Sequence, residues 1–431
     1  MAGYTRRDFV QAGAGVAAGL AFARPLHAVP WERAATIRVG LVGCGGRGTG
    51  AARDCLRGSE GVELVAMGDL FPDRVASARE NLAKAASENP AFAAKYKVDD
   101  GHAFSGLDAY QKVLASGIDL VILATPPGFR PVHFAAAVEA GKHVFMEKPV
   151  AVDPAGVRAV IAAAARAKAK GLGVVAGTQR RHDPAYRAVI ERVHGGAIGE
   201  LVSGQVFWNQ GGLWHAARKP EWSDMEWQVR NWLYFAWLSG DHVVEQHIHN
   251  IDVANWVVGS HPVRAVGVGG RQWRTAPEHG HIFDHFAVDF EYPGGVHVTS
   301  MCRQIDGTAD HVGEQFRGTK GTTDAAEKII GAGGASAFTY TGAKVNPYVQ
   351  EHTDLVASIR EGKPLNEGQQ VAESTLSAIM AREAAYTGQV ITWDQLMAST
   401  QDLTPPAQSA ALPVPPVPMP GRTKLDRRWS E

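Results

Sequence analysis

A chain of 431 residues is too long for one ordinary hydrophobic core, so two domains are expected. Its 45% hydrophobic and 20% charged content is that of a globular protein, and a formal net charge of −1 gives no reason to expect a nucleic acid or acidic lipid partner. Three cysteines, Cys44, Cys55 and Cys302, make no disulfide framework, and no apolar run is long enough to span a bilayer.

Residues 1–30 stand apart from the fold. Thr5-Arg6-Arg7-Asp8-Phe9-Val10 sets two arginines before a Gly/Ala-rich stretch from Ala12 to Ala23, the pattern of a twin-arginine export signal with Ala21-Phe22-Ala23 as a candidate cleavage site. That route carries folded protein, so a cofactor can be bound before export to the periplasm.

The β-branched-rich run Ile37 to Val42 leads into Gly43-Cys44-Gly45-Gly46-Arg47-Gly48, which fits G-x-G-x-x-G. The pattern is weak alone. Here a strand precedes it, an Ala-rich helical stretch follows, and a second strand from Val62 ends at Gly68-Asp69. The glycines supply a tight turn, close approach to a diphosphate and close helix–strand packing, and the helix N-terminus supplies unpaired N–H groups. Asp69, 21 residues after Gly48, can accept hydrogen bonds from the adenosine ribose. The cofactor expected is NAD, since Asp69 disfavours a 2′-phosphate.

Downstream, Asp73 to Ala86 reads as an amphipathic helix. Leu120 to Leu123 reads as a strand buried on both faces, ending in Ala124-Thr125-Pro126-Pro127. A helix from Phe134 closes at Gly141, and a strand from His143 to Met146 runs into Glu147-Lys148-Pro149. This alternation predicts a doubly wound parallel Rossmann domain over 36–150. After a helix from Asp153 to Lys170 and a short strand over 173–177, the pattern changes. Strands at 201–208, 264–269, 286–291 and 296–301 predict an α+β domain over 151–400 with a mostly antiparallel open sheet. Helices at 349–360 and 371–386 end at Gly362 and Gly388. The Pro-rich tail, 401–431, is expected to lie extended against its own or a neighbouring subunit.

Two constellations carry chemistry. Lys148 follows a strand end at the cofactor edge, where an ammonium can bridge the nicotinamide ribose and a substrate hydroxyl and make that hydroxyl more acidic. In Asp241-His242-Val243-Val244-Glu245-Gln246-His247-Ile248-His249, Glu245 and His249 stand four residues apart, so on one helix the carboxylate would orient the imidazole that takes a hydroxyl proton. His242, Glu245 and His249 also permit a metal reading, without a clear companion ligand; no metal is expected. Eight of the 11 tryptophans lie between 208 and 273, flat faces suited to sugar rings, with Trp214 and Trp222 in a polar loop the best placed.

Taken in order, the glycine loop, Ala124-Thr125-Pro126, Glu147-Lys148-Pro149, Gln179-Arg180-Arg181 and Glu245…His249-x-x-Asp252 resemble the Gfo/Idh/MocA oxidoreductases over roughly 36–395. The resemblance implies hydride exchange between NAD and a sugar, polyol or related alcohol. It makes Lys148 the catalytic lysine and His249 the proton-transferring histidine. It further implies a cofactor site of Gly43, Gly45, Gly46, Arg47, Gly48, Asp69, Thr125, Pro126, Glu147, Lys148 and Gln179, with Arg180, Arg181, His182, Trp214 and His247 towards substrate. It also implies a homo-oligomer through the open sheet. Two positions depart from the family's habit: Glu245 where aspartate is usual, and His247 where glycine is usual. The family also includes glycosidases that oxidise a sugar transiently and return the hydride.

Overall fold

The computed structural model describes residues 36–405 and 411–429; the twin-arginine pattern lies outside the described residues. The first sheet comprises β1 (Ile37–Val42), β2 (Val62–Asp69), β3 (Ala103–Ser105), β4 (Leu120–Leu123), β5 (His143–Met146) and β6 (Val174–Ala176). All its pairings are parallel, and the strands lie in the order β3-β2-β1-β4-β5-β6. The order reverses between β1 and β4, which opens a crevice at their carboxyl ends, the place where ligands bind in such sheets. Side chains on both faces of β1 and β4 are buried, consistent with helices covering both sides. The sixth strand lies beyond residue 150, so the parallel domain extends to about 177; a boundary at 150 would sever β6 from the sheet it completes.

The second sheet has nine strands. Its centre is β7 (Leu201–Gln210), parallel to β10 (His297–Gln304) and antiparallel to β11 (His311–Gly318). Beyond β10 lie β9 (His285–Glu291), β8 (Arg264–Gly270) and the short β15 (Ile391–Thr392); beyond β11 lie β12 (Gly321–Thr323), β13 (Lys328–Gly331) and β14 (Ser336–Thr339). The β7–β10 pair is parallel and the rest antiparallel. The helix Gly368–Thr387 is buried nearly throughout, and Gly388 ends it in the left-handed conformation (φ 68°) that glycine adopts without strain.

Two long-range connections matter for the site. The helix Pro347–Arg360 returns to the first domain, where Leu355, Val356 and Ile359 join the core of β1 and β2. The Pro-rich tail packs on its own chain. Leu403, Leu412 and Trp429 enter an aromatic cluster with Trp227 and Trp237, and Arg427 donates to both carboxylate oxygens of buried Glu383 (2.5 and 2.9 Å).

Candidate active site

The glycine loop is shaped for a dinucleotide. A Cβ on Gly48 would stand 1.8 Å from the Gly43 carbonyl oxygen, and one on Gly43 (φ 98°) would stand 2.6 Å from Ala124. These two glycines therefore let helix and strand touch. Gly45 and Gly46 meet nothing within 4 Å on the side a Cβ would occupy. The helix they open, Gly46–Gly58, has no side-chain cap and no acidic residue in its first turn. Its N–H groups stand ready for an anion, so these residues fit the diphosphate.

Asp69 ends β2 beside this loop. Its carboxylate accepts from the Cys44 amide (2.7 Å) and the Phe71 amide (3.0 Å), and burial raises its pKa. It lines a cleft with Gly68, Thr125, Pro126 and Phe129, on the side of the glycine loop where the adenosine of a dinucleotide would lie. Asp69→Ala is expected to narrow the preference for NAD over NADP; equal affinities of the unmodified protein for the two, measured by titration calorimetry, would reject that role.

A second cavity, about 310 Å³, lies where the two domains meet. Arg47, Thr125, Glu147, Lys148, Glu245 and His249 border it, between the aromatic walls Trp208, Trp232 and Tyr348. Lys148 Nζ donates to the Glu245 carbonyl (2.7 Å) and to its Oε1 (3.1 Å). The Lys148–Pro149 peptide is cis. His249 is buried and stacked on Trp208, ring centroids 5.6 Å apart. Burial first, then the cations Lys148, Arg180 and Arg47, pull its pKa well below the ordinary histidine value. The imidazole is thus neutral and able to accept a proton.

Arg47, inside the glycine loop, ties the cofactor edge together. It donates to Glu147 (2.5 Å) and Glu351 (3.1 Å) and lies over the Tyr348 ring at 4.9 Å. Burial and the neighbouring Glu147 push the Glu351 carboxyl well up, as two carboxylates around one guanidinium require. Gln179 donates to the Tyr348 hydroxyl (3.1 Å). Its Oε1 is buried without a partner, free to meet a ligand donor.

Several expectations are corrected. Glu245 does not orient His249, because the helix is broken between them. One turn spans His242–Glu245 and a second helix Ile248–Val258. The His247 amide reaches back to the His242 carbonyl (3.2 Å), and the His249 amide only to that of Gln246 (3.3 Å). Gln246 is held at the break by Gln210 (2.9 Å) and Gln304 (2.8 Å), both donating to its Oε1. Three residues expected near substrate are sequestered instead. Arg181 forms a bidentate pair with Asp252 (2.8 and 3.0 Å). His182 is fully buried between Asp354 (2.7 Å) and Glu367 (3.2 Å); burial alone would lower its pKa, but the two carboxylates prevail and raise it to about 9. His247 is buried against the Ser300 hydroxyl (2.8 Å), and burial lowers its pKa to about 3. Arg180 pairs with Glu314 and lies 5.8 Å over Trp208, behind the wall that carries His249. Trp214, 51% exposed, stands edge-on to Trp232 at 6.4 Å; Trp232 lines the cavity and Trp214 does not. Trp222 packs instead in the aromatic cluster. Among the described residues no set of His, Cys, Asp or Glu converges as metal ligands.

Sequence reasoning missed Arg130, Gln246 and Tyr348. Arg130 is buried at the cavity floor, donating to the carbonyls of Leu123 (2.5 Å) and Thr125 (2.6 Å), and burial lowers its pKa to about 10. Nothing local marks Tyr348, which reaches the cavity from the helix Pro347–Arg360 of the second domain.

Comparison with known proteins agrees with this geometry. The sequence model of an oxidoreductase family with an NAD-binding Rossmann fold matches residues 37–175, and that of the Gfo/Idh/MocA C-terminal domain matches 186–324. A family 109 glycosyl hydrolase protein of Streptomyces niveus is 38% identical over 133 residues, 30% of this chain and 24% of that protein. An inositol 2-dehydrogenase of Rhizobium meliloti is 29% identical over 228 residues, 53% of this chain and 57% of that one. The matched stretches thus span from a quarter to somewhat over half of these relatives. The crystal structure of an aldose–aldose oxidoreductase from Caulobacter crescentus, complexed with glycerol, superposes with a TM-score of 0.64 at 19% identity, covering 83% of this chain and 99% of that one, which shows a shared fold. With both of its domains matched, the chain belongs to the Gfo/Idh/MocA family of NAD-binding oxidoreductases.

Proposed function

We propose that this protein is an exported, NAD-dependent oxidoreductase that exchanges hydride with a carbohydrate or glycoside hydroxyl. One observation carries the reading: a neutral, buried imidazole and a lysine ammonium border the same cavity, at the carboxyl edge of a dinucleotide fold, between tryptophan faces. Lys148 would polarise the substrate oxygen, His249 would take the hydroxyl proton, and Trp208 and Trp232 would hold the C–H faces of a sugar ring. NAD, when bound, supplies the hydride acceptor. Glu245 serves by fixing Lys148. Export rests on the twin-arginine pattern of residues 1–30, and free NAD is scarce outside the cytoplasm, which favours a tightly held cofactor. Self-association through the open sheet is supported by a cross-strand row in register, Val268, Ala287, Met301 and Phe207, in which Val268 is 68% exposed.

A second reading is favoured by the glycosyl hydrolase relative. Oxidation of a ring hydroxyl to a ketone acidifies the adjacent C–H; loss of that proton expels the aglycone, water adds to the resulting double bond, and the hydride returns to the ketone. A panel of polyols, aldoses and glycosides separates the two. Steady NADH, or reduction of a second added sugar, is expected for the first reading. Released aglycone without net NADH would replace it with the second.

A further inference from the structure

The cleft beside Asp69 is roofed by the other domain. The helix Asp224–Arg230 and the chain running on to Trp237 cross it, with Val229 in its lining. At the β2 lip, the Arg230 guanidinium lies 3.8 Å over the ring of Phe71, and its two terminal nitrogens donate to the two carboxylate oxygens of Asp73, both at 2.9 Å. At the β4 lip, Phe129 meets Trp237 edge-on at 6.0 Å, and a Cβ on Gly128 would stand 2.2 Å from the Trp237 carbonyl oxygen. The tail holds the roof from outside. Leu412 is buried, its amide donating to Asp224 (3.0 Å) and its carbonyl accepting from Gln228 (2.7 Å).

The roof reaches from the β2 lip, at Arg230, to the β4 lip, at Trp237, so an adenosine seated beneath it against Asp69 would be retained by these contacts. The two lips differ. The β4 lip is close-packed backbone, whereas the β2 lip is joined by side chains: Leu70 and Phe71 pack on the roof's aromatic cluster, and beside them crosses an ion pair whose carboxylate side chain is 59% exposed. That is the side suited to open.

We propose that Asp73 and Arg230 form a clasp over the adenosine half of NAD, and that its opening limits cofactor exchange. The inference rests on the reading above of a tightly held NAD. A bidentate arginine–carboxylate pair backed by an aromatic face is stronger than a simple surface pair, yet water reaches it and salt screens it. A dinucleotide retained through export would need such a closure.

The test is a chase. Protein saturated with labelled NAD is mixed with excess unlabelled NAD, and release is followed at low and high salt. Arg230→Gln and Asp73→Asn are each expected to release NAD ~10-fold faster at low salt. High salt should speed release from the unmodified protein towards that of the variants and change the variants little. Asp73 is exposed, so Asp73→Asn tests the clasp without disturbing a core. Unchanged release in both variants, or faster release with an undiminished salt response, would overturn the clasp. A protein that binds no NAD would overturn the reading beneath it as well.

Discussion

His249→Ala is expected to lower turnover by ~10²–10⁴-fold while leaving NAD affinity nearly unchanged, the range typical for loss of a general base. The imidazole borders the substrate cavity, backed by Trp208, and has no part in the glycine loop or the Asp69 cleft. Its neutrality follows chiefly from burial, with Lys148 the leading cation acting in the same direction. Because it works as the neutral form, activity should persist to pH values below those at which an ordinary histidine becomes protonated. Turnover measured with NAD and substrate both saturating, beside NAD binding by calorimetry, decides the matter. Near-normal turnover in His249→Ala would make this helix structural.

Lys148→Met should reduce turnover by ~10²–10³-fold, the loss typical when one donor to a developing oxyanion is removed. It should also move the ascending limb of the pH–rate profile. Lys148 is one of the cations that hold the His249 pKa down, so removing it lets that pKa rise. The limb moves to higher pH, though burial keeps it below the ordinary value. Glu245→Gln is expected to do the opposite. Its carboxylate sits on Lys148 at 3.1 Å and partly offsets that cation, so the neutral amide leaves more positive charge facing His249, and the limb moves to lower pH. Limbs that shift in the same direction in the two variants, or in neither, would reject this coupling. A metal-centred site would instead lose activity to a chelator in the unmodified protein.

Much of the molecule is local and therefore readable along the chain. The glycine loop needs small residues at fixed offsets because backbone meets backbone there, and such demands are written in consecutive residues. Buried parallel strands read as apolar runs, and helix ends read as Gly362 and Gly388. Lys148, just past the end of β5, and His249, in the first turn of the helix Ile248–Val258, are singled out by local patterns, and the fold brings both to one cavity. The tail was legible as extended, since proline-rich chain cannot form a helix, but not its partners, Asp224, Gln228 and Glu383.

The dinucleotide fold and its cofactor follow from the sequence alone, which also offers Lys148 and His249 as the pair proposed to polarise an oxygen and move a proton. Who holds whom is settled only in three dimensions. The break between Glu245 and His249 depends on two amides, Gln210 and Gln304, that lie 36 and 58 residues from Gln246. No periodicity within the helix reveals it. Arg47 meets Glu351 across 304 residues, and the polar run Arg181-His182 turns inward because Asp252, Asp354 and Glu367 wait there. Burying a charge is unfavourable without such partners, and partners this distant in sequence are named only by the fold.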